Sequence, residues 1–229
     1  MTFPDFEIDH VFVFVEPGAP EARGLASAGL RESFRRRHPG QGTANVCYCL
    51  DDAYLELLWV DDAAAVASEA VAPTRLAERA AWRRTGTCPF GIAVRRHAPA
   101  APPAAPPAFA TWDSRAPFLP PDMAIAVAAE SRDPMLPFVF RSPGSSRPDA
   151  WTDGRAGNRQ RAGGLAEIAG IHLDLPAWTA PGPALRSFEQ AGLLSLGTRQ
   201  EGFAMTLTLS RVAGGPPRRL RLPGFEWLA

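Results

Sequence analysis

The chain has 229 residues, 24 basic and 24 acidic side chains, no formal net charge, and 46% hydrophobic residues. That suits one large globular domain or two small ones, big enough to bury a core without staples, and no charge excess directs it to nucleic acid or an anionic membrane. All the basic residues are arginine, so Schiff-base chemistry, a pyridoxal-phosphate lysine and a lysine-bearing phosphate loop are excluded.

No apolar run reaches 18 residues, so no membrane-spanning helix is expected. The opening stretch carries Asp5, Glu7 and Asp9 and lacks the basic start of a secretory leader. Cys47, Cys49 and Cys88 are an odd set with no zinc-type spacing, which predicts buried, reduced thiols and a cytoplasmic location.

In chain order, Ile8–Val15 is β-branched and aromatic and predicts a buried strand, broken by Pro17 and Gly18. A helix follows from about Pro20 to Ala28, stopped at Gly29, and Leu30–Arg37 suits a second strand. His38–Thr43 is a turn cluster, and Asn45–Leu50 and Tyr54–Val60 predict two further strands. Residues 62–84 read as one or two helices, 90–95 as a short strand, and 97–107 as a Pro/Ala loop. Strands are expected over 123–128 and 136–140, then a long polar loop over 142–164.

The last quarter repeats the succession of the first. A strand over 168–175 precedes a helix over 184–190 that ends in Ala191-Gly192-Leu193, matching Ala28-Gly29-Leu30, and strands over 204–210 and 218–222 follow. The expected fold class is α+β. Two βαβββ modules, at about 6–62 and 165–225, would form an open curled mixed sheet around a cleft in one domain, with about 63–164 inserted between them.

Ile8-Asp-His-Val11, the run Arg37–Asn45, Tyr54–Val60 and Cys88-Pro-Phe-Gly-Ile92 together resemble the glyoxalase-like branch of the vicinal oxygen chelate superfamily. The resemblance is strong over about 6–95. It implies paired βαβββ modules around a cleft and, in many such families, a divalent metal (Zn, Ni, Mn or Fe) held by a first-strand His and a last-strand Glu. His10 and Glu56 fall on those positions. The residues themselves leave two readings open, because a carboxylate inside Leu55–Trp59 needs either a cation or a hydrogen-bonding partner. The pair is half a metal site, or a buried His–Glu hydrogen bond with no metal.

In the second expected module Gly170 stands where a second His belongs, with His172 two residues on, and Arg219 and Arg221 flank the position of the second Glu. If the middle strands are the partner instead, Phe90-Gly91-Ile92 offers no ligand either. Arg221 or Arg219 would suit an anionic ligand. The run His38–Asn45 brings two glycines, a titratable ring, and the donors of Gln41, Thr43 and Asn45 to one turn. The candidate catalytic residues are therefore Glu56 and His38. Candidate substrate contacts are Gln41, Thr43, Asn45, Trp59, His172 and Arg221. The triplet Arg35-Arg36-Arg37 reads as a solvated rim. Two functions are expected: a metal-assisted lyase or isomerase on an oxygen-rich or anionic small molecule, or a metal-free protein that binds one. The expected partner is that small molecule, not nucleic acid or membrane, with pairing into a homodimer left open.

Overall fold

The computed structural model describes residues 6–96, 109–144 and 146–228; the Pro/Ala tract read as a loop over 97–107, His97 included, lies outside them. Eight strands form one mixed sheet: β1 (Phe6–Phe14), β2 (Phe34–His38), β3 (Thr43–Cys49), β4 (Tyr54–Val60), β5 (Phe90–Arg96), β6 (Thr111–Ser114), β7 (Ile125–Ala128) and β8 (Phe138–Arg141). A second sheet holds β9 (Leu165–Pro176), β10 (Ser195–Arg199), β11 (Ala204–Arg211), β12 (Arg218–Leu222) and β13 (Glu226–Leu228). The helices are α1 (Ala22–Ser27), α2 (Ala63–Val66), α3 (Leu76–Ala80), α4 (Trp82–Thr85) and α5 (Pro183–Gln190). The fold is α+β, with open mixed sheets that do not close into a barrel.

The large sheet runs β2-β3-β4-β1-β5-β8-β7-β6. β1 pairs β4 in parallel, β5 pairs β8 in parallel, and β1 meets β5 antiparallel at the centre. The order β1-β4-β3-β2 is thus repeated as β5-β8-β7-β6, and the two halves are related by rotation about the β1/β5 seam. This corrects the expected position of the second module. Its sheet order recurs over 90–141, not 165–225, where β9 pairs directly and in parallel with β10 across α5.

Strand alternation sends the two faces of the large sheet to different tasks. Val11 and Val13 of β1, Val46 and Tyr48 of β3, Leu55 and Leu57 of β4, and Phe90 and Ile92 of β5 bury their side chains on one face. There they share one core with α1, α5 and the inner face of the second sheet, through Leu25, Phe188, Ile171, Leu173 and Leu207. Trp59 belongs to this core and is 7% exposed, so it packs away from the cleft. On the opposite face Phe12, Leu58 and Phe138 pack beside Val66, Val71 and Leu76, which come from the segment of short helices after β4. Cys47, Cys49 and Cys88 are unpaired and buried, as expected, and burial pushes the thiols of Cys49 and Cys88 up to about 11 and about 12. No helix among the described residues is long and apolar enough to cross a membrane.

Candidate functional site

The second face of the large sheet is the floor of a cavity of about 540 Å³, lined by residues of β1–β4 and β6–β8 and by the loops above them. At its centre β1 and β4 run side by side, with Phe12 opposite Glu56 and His10 opposite Tyr54. His10 Nε2 lies 3.4 Å from Glu56 Oε2, and each residue is only 6% exposed. The imidazole stacks on Tyr54 at 4.4 Å and meets the edge of Phe140 at 5.3 Å, so its plane is fixed. Asn45, on β3, donates from Nδ2 to Glu56 Oε1 at 2.5 Å.

The other face of His10 is held by its own neighbour. Asp9 Oδ1 lies 2.5 Å from His10 Nδ1, although consecutive residues of a regular strand point to opposite faces. The reason is a β-bulge. Ile8 stands opposite Val94 and His10 opposite Ala93, which are adjacent on β5, so Asp9 is the extra residue, and both it and His10 line the cavity. Asp9 Oδ2 in turn takes Arg95 Nη1 at 3.3 Å, and Arg95 Nε donates to Glu7 Oε1 at 2.8 Å. Burial alone would raise the Asp9 carboxyl, but the hydrogen bond and charge of His10, with the Arg95 guanidinium, outweigh it and hold it below the ordinary value. An ionised Asp9 accepts only, so Nδ1 carries the proton.

His38 closes the β2 side. Its Nδ1 pairs with Thr43 Oγ1 at 2.9 Å, Gln41 Nε2 donates to the same hydroxyl at 2.8 Å, and Phe118 covers the ring at 4.8 Å. Thr43 is 1% exposed and acts on the cavity only through His38 and Gln41. Burial depresses the His38 imidazole, Arg36 and His10 add to that, and Glu56 opposes it. The folded chain therefore keeps His38 neutral, while the unfolded chain takes up a proton near pH 6.5. Unfolding free energy is expected to fall as pH drops below about 6.5, and His38→Gln should flatten that part of the profile in urea titrations at pH 5 to 7.5. An unchanged slope in the variant would contradict the assignment.

Of the residues singled out in the sequence, the structure brings His10, Glu56, His38, Gln41 and Asn45 to one cavity. It does not bring His172 or Arg221 there. Both project from the outer face of the second sheet, because the alternate residues Ile171, Leu173, Leu220 and Leu222 turn into the core. His172 pairs instead with Ser195 at 2.8 Å and Asp174 at 3.1 Å. Sequence reasoning missed Asp9, Arg36, Phe138, Phe140 and the Trp151 loop, all of which line the cavity.

A divalent metal needs three or four protein donors in such a site. Among the described residues no three His, Cys, Asp or Glu gather for one. The positions that the rotation relates to His10 and Glu56 are apolar. β5 offers Gly91 and Ala93 beside Phe138 and Phe140 of β8. A Cβ at Gly91 would lie 2.0 Å from the Phe12 ring, so that ring fills the space a second pair of ligands would need. The donor set does not fit a two-sided metal centre.

No curated protein matches the chain significantly. The family model for a glyoxalase-like domain matches residues 8–182, a span that includes the whole large sheet from Ile8 onward and the cavity on it. By that match and by its paired half-sheets, the chain belongs to the glyoxalase-like domain family.

Proposed function

We propose that this protein is an enzyme of isomerase or lyase type that moves a proton at a carbon beside a carbonyl, using Glu56 as base and His10 as acid. One observation carries the reading: the buried chain Glu56–His10–Asp9 lines an aromatic-walled cavity. With Nδ1 protonated toward Asp9, the approach of Nε2 to Oε2 is attractive only if one proton lies between them. The proposed roles put that proton on His10 Nε2, facing a Glu56 carboxylate that accepts from Asn45 Nδ2. A ketone entering between the two loses its α-proton to Glu56. The electron pair of the broken C–H bond forms the enol double bond, and the carbonyl oxygen takes the proton of His10 Nε2. The product is the enol, with Glu56 protonated and His10 neutral, and the reverse step restores the pair. Asn45 keeps the carboxylate aimed, and Asp9 stabilises the imidazolium.

Phenylpyruvate tests this, with tautomerisation followed by ultraviolet absorbance and α-C–H exchange by NMR in D2O. The wild-type chain is expected to accelerate both. Glu56→Gln, which can still receive the Asn45 amide hydrogen bond, should reduce the rate by about 10²–10⁴ with the fold intact. The rate should also survive chelator. Stoichiometric metal that disappears in His10→Ala would instead restore a metal centre as the reading. Binding without acceleration would support a protein that sequesters its ligand, a role that the direct His10–Glu56 contact also suits.

A further inference from the structure

The cavity is chemically divided along the strand order. On β2 and β3 stand Arg36, His38 and Asn45; across the central Glu56–His10 pair, the β1 and β8 side presents Phe12, Phe138 and Phe140. These three rings lie 5.5 to 6.5 Å apart and form a continuous apolar wall.

Arg36 differs from its neighbours in its partners. Arg35 is bound to Glu32 and Arg37 faces Asp61, while Arg155, also on the cavity, is bound to Asp153. Arg36 has no carboxylate within ion-pair distance among the described residues, and its guanidinium lies over the Phe118 ring at 5.2 Å. Alternation along β2 puts Phe34, Arg36 and His38 on the cavity side, and Arg36 pairs with Asn45 in the ladder, one residue row from Glu56. A guanidinium stacked on one face keeps its edge N–H groups for a planar acceptor.

We infer that the site takes an amphipathic anion, with an apolar or aromatic body against Phe12, Phe138 and Phe140 and one carboxylate on Arg36. β2 and β4 are two strand spacings apart, about 10 Å, which places the anion one short linker from the reacting centre. The Coulomb attraction of Arg36 orients the molecule, and the aromatic wall supplies most of the buried area. This assignment rests on the proposed use of the cavity but not on its proton chemistry.

The test is binding of 3-phenylpropionate, its neutral amide, and propionate to the full chain, by calorimetry. 3-Phenylpropionate should bind best. The amide and propionate should each bind about tenfold to a hundredfold more weakly, the one for want of charge and the other for want of a ring. Arg36→Met should remove the preference for carboxylate over amide, whereas Arg37→Met should keep it. Since Arg36 is exposed, the variant is expected to fold; Arg36→Gln repeats the test with a polar side chain. Equal binding of acid and amide, survival of the preference in Arg36→Met, or no binding of 3-phenylpropionate by folded wild-type chain would each overturn the inference. The probe has no ketone, so its result stands apart from that of the phenylpyruvate exchange assay.

Discussion

Replacing Arg95 with Met is expected to destabilise the fold by about 3–5 kcal/mol at neutral pH, the range for removing one member of a buried ion network. Arg95 is 0% exposed and joins three elements: Glu7 and Asp9 of β1, its own strand β5, and the carbonyl of Asp52 in the turn before β4. Met fills much of the volume but leaves Asp9, 3% exposed, with His10 as its remaining partner. The pH dependence identifies the cause. Arg95 contributes to holding the Glu7 and Asp9 carboxyls below their ordinary values, against the effect of burial. Stability of that origin is complete above the unfolded carboxylate value near 4 and is lost as pH falls through the depressed folded values. The penalty of Arg95→Met should therefore be larger at pH 7 than at pH 3 in urea titrations. A penalty equal at both values would show that packing, not the stranded charge, decides it.

The second large effect is expected at Arg79, for a different reason. Arg79 is also 0% exposed, yet its guanidinium meets backbone carbonyls instead of carboxylates: Ser131 at 2.8 Å, Asp133 at 3.0 Å, Pro134 at 3.4 Å, and Leu136. Burial pulls its guanidinium down to about 10, still high enough to remain charged at neutral pH. The residue fastens the 131–136 turn to α3 and lies 5.6 Å from the Phe138 ring that walls the cavity. Arg79→Met leaves those carbonyls without a donor, at about 1–3 kcal/mol for each that water cannot reach, so a loss of at least about 3 kcal/mol is expected. Because the stranded groups do not titrate, this penalty should be the same at pH 7 and pH 4. A variant within about 0.5 kcal/mol of wild type would show that the turn is held by other contacts.

His10 and Glu56 are singled out by the family resemblance, and strand alternation adds that each shares a sheet face with its i ± 2 neighbours, which is how both come to line the cavity. Asn45, Gln41 and His38 were drawn together by a turn rich in glycine and side-chain donors. The location of the second module was not legible, and the repeated triplet explains why. Gly29 and Gly192 both adopt left-handed backbone, with φ of 90° and 72°, where the chain leaves a helix. The triplet therefore reports a common way of ending a helix and carries no information about which strands pair afterwards. The true partner of the first module, residues 90–141, has short strands of 4 residues at three of its four positions, too brief for periodicity to declare them. Arg36 was hidden for a related reason: three consecutive arginines look alike until a ladder assigns the middle one to the cavity.

The bulge at Asp9 separates what the sheet needs from what the site needs. Without residue 9, Ile8 and His10 would become neighbours facing Val94 and Ala93 in an unbroken ladder, with Ile8 still toward the core and His10 still toward the cavity. The partner that orients the imidazole is thus carried by a single inserted residue. Losing it would cost Arg95 one of its carboxylates but require no strand to change register. A history of gain or loss of this pairing within the family would be written in length, as one residue present or missing at the start of β1, before it was written in any substitution.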